Sequence, residues 1–131
     1  MRRALPIVSA LAAAALLSAC GSRANLPADE SASVKAGAQL FSKRCLGCHT
    51  LATVNALGSA TRVRDRERVD GPNFNVRKEK MQDVLYAIRN GGFSGAIMPQ
   101  NIVVGQDADH VAAFLSKYSG LQKTKSADST K

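Results

Sequence analysis

Cys45-Leu46-Gly47-Cys48-His49 sets two thiols three residues apart, with an imidazole directly after the second. Three chemistries use such a pair: a zinc cage, a redox-active dithiol, and thioether attachment of a c-type haem. A structural zinc needs four ligands, usually in two separated pairs, and only Cys20 and His110 are left to complete a set. A thioredoxin-like dithiol follows a strand in a βαβ pattern, whereas the residues before Cys45 read as helix and nothing nearby reads as strand. The adjacent histidine favours the third chemistry. Cys45 and Cys48 then clamp the porphyrin edge, and His49, held beneath the iron, is the proximal metal ligand.

A second axial ligand must come from a short inventory. Met81 and Met98 are the methionines beyond Met1, and His110 is the other histidine. Met81 falls in an apolar helical stripe, where methionine is ordinarily core filler. Met98 lies in the glycine-rich run from Gly91 to Pro99, where a thioether has no helix face to fill and the following proline stiffens the chain. His110, the rival, sits beside Asp107 and Asp109 off the main apolar stripe and reads as a solvated side chain. His49/Met98 ligation favours ferrous iron relative to two nitrogen ligands and leaves outer-sphere electron transfer as the remaining chemistry.

The positive start at Arg2 and Arg3, followed by an apolar run from Ala4 to Leu17, reads as an export signal. The run falls short of the ~20 residues that a spanning helix needs. Leu17-Ser18-Ala19-Cys20 resembles a bacterial lipobox. That resemblance implies a signal peptide over residues 1–19 and lipidation of Cys20, which anchors the chain to a membrane by acyl chains. The three cysteines then divide into one lipid site and two haem sites, and none is left for a disulfide.

Residues 20–32 carry Pro, Ser, Asn and acidic residues with little apolar content and read as a flexible tether; residues 122–131 read as a disordered polar tail. Between them, residues 33–121 make one small domain, with no convincing strand and no internal repeat. Ser33 is a plausible N-cap for a first helix through Val34, Gly37, Ala38, Leu40 and Phe41. Met81, Val84, Leu85 and Ile88 predict a helix near Lys78 to Arg89, stopped at Gly91; Val111, Phe114, Leu115 and Tyr118 predict another from near Asp107, stopped at Gly120. With no Trp, four Phe and two Tyr, the core is short of aromatic volume, and a large planar apolar cofactor would make up part of it.

The order helix, Cys-x-x-Cys-His, helix, Met-Pro loop, helix resembles the class I cytochrome c family. The resemblance implies an all-α domain of three main helices around one covalently bound haem c, with the first and last helices crossing at Gly37, Phe41, Phe114 and Leu115. It supports Met98 as the distal ligand. Gly71-Pro72-Asn73 is similar to the family turn whose proline carbonyl accepts the proximal imidazole N–H, so Pro72 would orient His49, although Pro72 also serves as a plain turn former. The stretch from Thr50 to Asp70 is longer than in compact members of the family. In it Arg62, Arg64, Arg66 and Arg68 alternate with Asp65, Glu67 and Asp70, a pattern expected of a solvated, salt-bridged surface, with a docking insertion as the alternative.

The formal charge of +8 falls by two when Arg2 and Arg3 leave with the signal, and the remaining excess suits an acidic partner. Lys43, Arg44, Arg77, Lys78 and Lys80 could surround the haem edge. Nucleic acid is excluded as a target, since no reading motif is present and an exported protein does not meet it. The expected role is an electron carrier rather than an enzyme, lipid-anchored on the periplasmic or extracytoplasmic face. Its partners would be a quinol oxidoreductase or dehydrogenase as donor and a terminal oxidase as acceptor. The alternatives are a fixed haem subunit of a larger membrane oxidoreductase and, less favoured, a peroxide- or gas-binding haem protein.

Overall fold

The computed structural model describes residues 24–93 and 97–122. Three helices carry the architecture: α1 (Ala32–Arg44), α2 (Met81–Asn90) and α3 (Gln106–Tyr118). A two-stranded antiparallel hairpin, β1 (Thr50–Leu51) with β2 (Ala56–Leu57), follows the Cys-x-x-Cys-His run. The hairpin is one departure from the expectation of no strand. Its short turn closes through Asn55, whose φ of 55° lies in the left-handed region that asparagine tolerates.

Helix α1 buries Val34, Gly37, Ala38 and Phe41, spaced to form one face. Its N-cap is Ser31 rather than the expected Ser33, because the Ser31 hydroxyl accepts the Val34 N–H at 3.3 Å, a bond to the third helical residue. The basic pair Lys43 and Arg44 closes the helix where its dipole favours cations. Residues 24–31, expected as part of a flexible tether, pack on the domain instead. Ala24 and Leu26 lie against the core, Asn25 N–H donates to the Thr53 carbonyl at 2.7 Å, and buried Glu30 meets α3.

Helices α1 and α3 cross at Gly37, where an added Cβ would overlap the His110 carbonyl and come within 2.8 Å of Phe114 Cβ. There the Phe41 and Phe114 rings meet edge-on with centroids 5.9 Å apart, and both side chains are fully buried. Helix α2 packs on α3 through buried Val84 and Ile88 and ends at Gly91, with φ of 74°. It begins at Met81, later than the predicted Lys78, because the preceding residues bond to the end of α3. Lys78 Nζ donates to the Ser116 carbonyl at 2.6 Å, and Glu79 N–H donates to Ser119 Oγ at 2.8 Å. Met81, at this new terminus, is exposed and not the core filler expected from its spacing. Among the described residues no helix is long and apolar enough to cross a membrane.

Candidate functional site

The Cys-x-x-Cys-His run continues the winding of α1. Cys45 N–H donates to the Phe41 carbonyl at 2.8 Å, and the N–H groups of Cys48 and His49 both turn back to the Cys45 carbonyl at 3.2 and 3.1 Å. Past the motif the chain straightens and is stitched to a distant segment. Gly71 N–H donates to the Cys48 carbonyl at 2.7 Å, and Phe74 N–H donates to the Thr50 carbonyl at 2.9 Å. These two bonds lay the Gly71–Phe74 turn beside His49.

Three contacts from that turn then fix the imidazole. His49 Nδ1 lies 3.2 Å from the Pro72 carbonyl oxygen. A carbonyl can only accept, so this bond places the ring proton on Nδ1 and leaves the Nε2 lone pair for a metal. The Phe74 ring stacks on the imidazole, and Gly71 approaches so closely that an added Cβ would come within 2.8 Å of Nε2. Burial holds the His49 pKa below its ordinary value against the opposing pull of the Pro72 carbonyl, with the charge of Arg77 adding to the lowering. The ring is therefore a neutral base at pH 7.

His49 opens onto a cavity of about 320 Å³ that Cys45, Cys48, Met98 and Pro72 also line. Phe74 and the loop from Arg68 to Gly71 form one wall, while Val84 and Ile88 of α2 with Val111 and Leu115 of α3 form an apolar floor. His110, the rival ligand, does not line this cavity. Cys20 lies outside the described residues. Both Cys45 and Cys48 are free thiols. Burial, with the neighbouring Cys48 second, pushes the Cys45 thiol up to about 12, unlike the lowered thiol of a dithiol oxidoreductase. Among the described residues no three His, Cys, Asp or Glu side chains gather as a metal cage.

These residues fit a covalently held haem: two unpaired thiols, an oriented imidazole with a free lone pair, a thioether and an apolar wall face one space. Sequence reasoning missed three contributors, Phe74, Thr50 and Glu79, and placed Gly71 in the Pro72 turn without its contact with the imidazole. Phe74 and Gly71 shape the imidazole seat. Thr50, fully buried, donates its hydroxyl to the Ser59 carbonyl at 2.8 Å and accepts the Ser59 N–H at 3.0 Å, which pins the next loop. Glu79 is a buried carboxylate on the cavity wall whose pKa burial raises, against the pull of Arg77 and with a small push from Asp83. Arg77 Nε stands 2.6 Å from Glu79 Oε1, a close charge pair that is off the line of a hydrogen bond. Phe74, Thr50 and Glu79 carry no motif of their own; the Gly71-Pro72-Asn73 turn was the available signal for Phe74, which follows it directly.

An all-α domain with a Cys-x-x-Cys-His turn opening on an apolar cavity defines a small c-type haem protein. The family model described as cytochrome c matches residues 34–119. The c-type cytochrome SorU from Sinorhizobium meliloti is similar in structure, with a TM-score of 0.55 and 30% sequence identity over 72% of this chain and 100% of that one. No curated protein matches the chain. The chain belongs to the cytochrome c family. It is a haem c electron carrier, of a family whose domains are typically extracytoplasmic and exchange electrons with redox proteins.

Proposed function

We propose that this chain is a lipid-anchored monohaem cytochrome that passes single electrons between respiratory partners, with His49 and Met98 as axial ligands. The observation that carries this reading is that His49, its Nδ1 tied to the Pro72 carbonyl, shares one cavity with Met98 and the two free cysteines. Bound haem c supplies a one-electron iron centre. Cys45 and Cys48 would hold the group by thioethers, which would keep it from dissociating between electron donor and acceptor. The Pro72 carbonyl keeps the imidazole oriented and strengthens it as a ligand. With His49 and Met98 both holding the iron, no place would remain for a substrate, which would separate a carrier from a peroxide- or gas-binding protein. The apolar floor from α2 and α3 would give the bound group a partly water-free seat.

Cys20 anchors the chain to the membrane through its acyl chains, on the extracytoplasmic side. A quinol oxidoreductase or dehydrogenase serves as donor and a terminal oxidase as acceptor. The test is the absorption spectrum and mass of protein purified from membranes. Low-spin bands, a sulfur-to-iron band lost in Met98→Ala, and a mass carrying one haem with acyl chains on Cys20 are expected. High-spin ferric iron in the unmodified chain overturns the His/Met ligation, and an unacylated mass overturns the anchor.

A further inference from the structure

We propose that the outer face of the loop after the hairpin forms a binding cleft for a small oxyanion, of the sulfate, phosphate or carboxylate type. The cleft encloses about 330 Å³ between residues 60–66 and the turn running from Pro72 to Arg77. Arg62, Arg66 and Arg77 line it, and among the described residues no carboxylate does. Two of the arginines come from the loop and the third from the far side of the Pro72 turn, so tertiary structure brings three arginine side chains to line one concavity. Guanidinium forks match the planar or tetrahedral oxygens of such anions.

The cleft is built rather than draped. Asp70 Oδ2 accepts the N–H groups of Ala60 and Glu67, both at 3.0 Å, closing the loop on itself, and the paired Thr50–Ser59 bonds hold its first residues. Asp70 is thereby spent inside the loop, and its carboxyl sits below the usual range because of those two N–H donors. Arg62 pairs with Asp65 at 2.9 Å and Arg77 with Glu79 at 2.6 Å, each through Nε. A guanidinium has five N–H donors, so one such contact leaves others for a ligand. Arg66 has no ion pair among the described residues. Pro72 and Arg77 also line the haem cavity, so the two sites share a wall and an anion would brace the turn that seats His49. The site does not depend on which redox partner the carrier serves.

The experiment is a nuclear magnetic resonance titration of the reduced, haem-loaded protein with sodium phosphate, sulfate and chloride at matched ionic strength. Saturable amide shifts confined to residues 60–66 and 73–77 are expected with phosphate and sulfate and not with chloride. Binding should weaken about five- to tenfold in Arg62→Ala/Arg66→Ala, yet stay within about twofold in Arg64→Ala, a same-loop arginine outside the cleft. The replaced side chains are exposed, and an unchanged haem spectrum checks that each variant is folded. Shifts that merely follow ionic strength overturn the proposal, as does equal weakening by Arg64→Ala. A response to polyglutamate but not to the small ions overturns it too, by assigning the arginines to an acidic protein face.

Discussion

The ring of Phe74 lies nearly flat on the imidazole of His49, centroids 4.7 Å apart and planes 14° from parallel. Phe74 meets Phe41 edge-on at 6.0 Å on another side, so it couples the imidazole to the α1–α3 core. Phe74→Ala should destabilise the haem-loaded protein by about 3 kcal/mol, the ordinary cost of emptying a buried phenyl site. Phe74→Leu should lose only about 1 kcal/mol. Denaturant midpoints decide it, and equal midpoints for Phe74→Ala and wild type would show that the stack is incidental.

Gly37 is where two helices meet without room for a methyl group. A Cβ there meets the His110 carbonyl, which belongs to helix backbone and cannot swing aside, as well as Phe114 Cβ. Gly37→Ala should therefore cost about 2 kcal/mol or more through overpacking, although alanine is intrinsically the better helix former by about 1 kcal/mol. Thermal unfolding gives the sign directly. A stabilised variant would mean that propensity outweighs the crossing.

Glu30 sets an acid limit on stability. Its carboxylate is contacted by Lys117 Nζ at 2.7 and 2.8 Å, by the Tyr118 hydroxyl and by the Ser31 N–H at 2.9 Å. Lys117 first, then Tyr118 and Ser31, hold its pKa down to about 2 from 4.5. A pKa lowered by folding contributes stability that is complete above the unfolded value and drains away as pH falls toward the folded one. Wild type should thus lose stability between pH 4.5 and 2, and Glu30→Gln should flatten that part of the profile. The Tyr118 hydroxyl, raised to about 12 by burial and by Glu30, has the opposite sign, its contribution waning as pH climbs from 10 toward 12. Urea midpoints measured across both windows test the pair.

The basic residues bear on encounter rates. If the proposed partner is acidic, electron exchange should slow as ionic strength passes ~0.1 M, where the screening length is about 10 Å. Stopped-flow rates against salt provide the check, and a flat dependence would remove charge steering from the account.

Three helices and the haem motif were legible because each rests on local pattern: apolar residues at helical spacing, glycine stops, and five contiguous residues of defined chemistry. The boundaries that moved did so for tertiary reasons. Residues 78–80 look helical, but Lys78 and Glu79 bond to the end of α3, which delays α2 to Met81. Residues 24–31 have the composition of a linker, yet a buried carboxylate paired across to Lys117 ties them down. The alternating charges of the loop pointed to salt bridges, and Arg62–Asp65 and Arg64–Asp65 exist at 2.9 and 3.7 Å. The use of Asp70 to close the loop has no signature in charge order.

The amino-acid order alone determined the chemistry, since thiols and an adjacent imidazole carry their reactivity wherever the chain goes. It also determined the helices, whose hydrogen bonds and amphipathic faces are set within a few turns. Only the tertiary structure decided the environment of His49. The Pro72 carbonyl, the Phe74 face and the missing side chain of Gly71 come from more than twenty residues away. Which atoms meet over that separation depends on how α1 and α3 cross and where the Cys48–Gly71 and Thr50–Phe74 backbone bonds form, and neither is encoded in any local window.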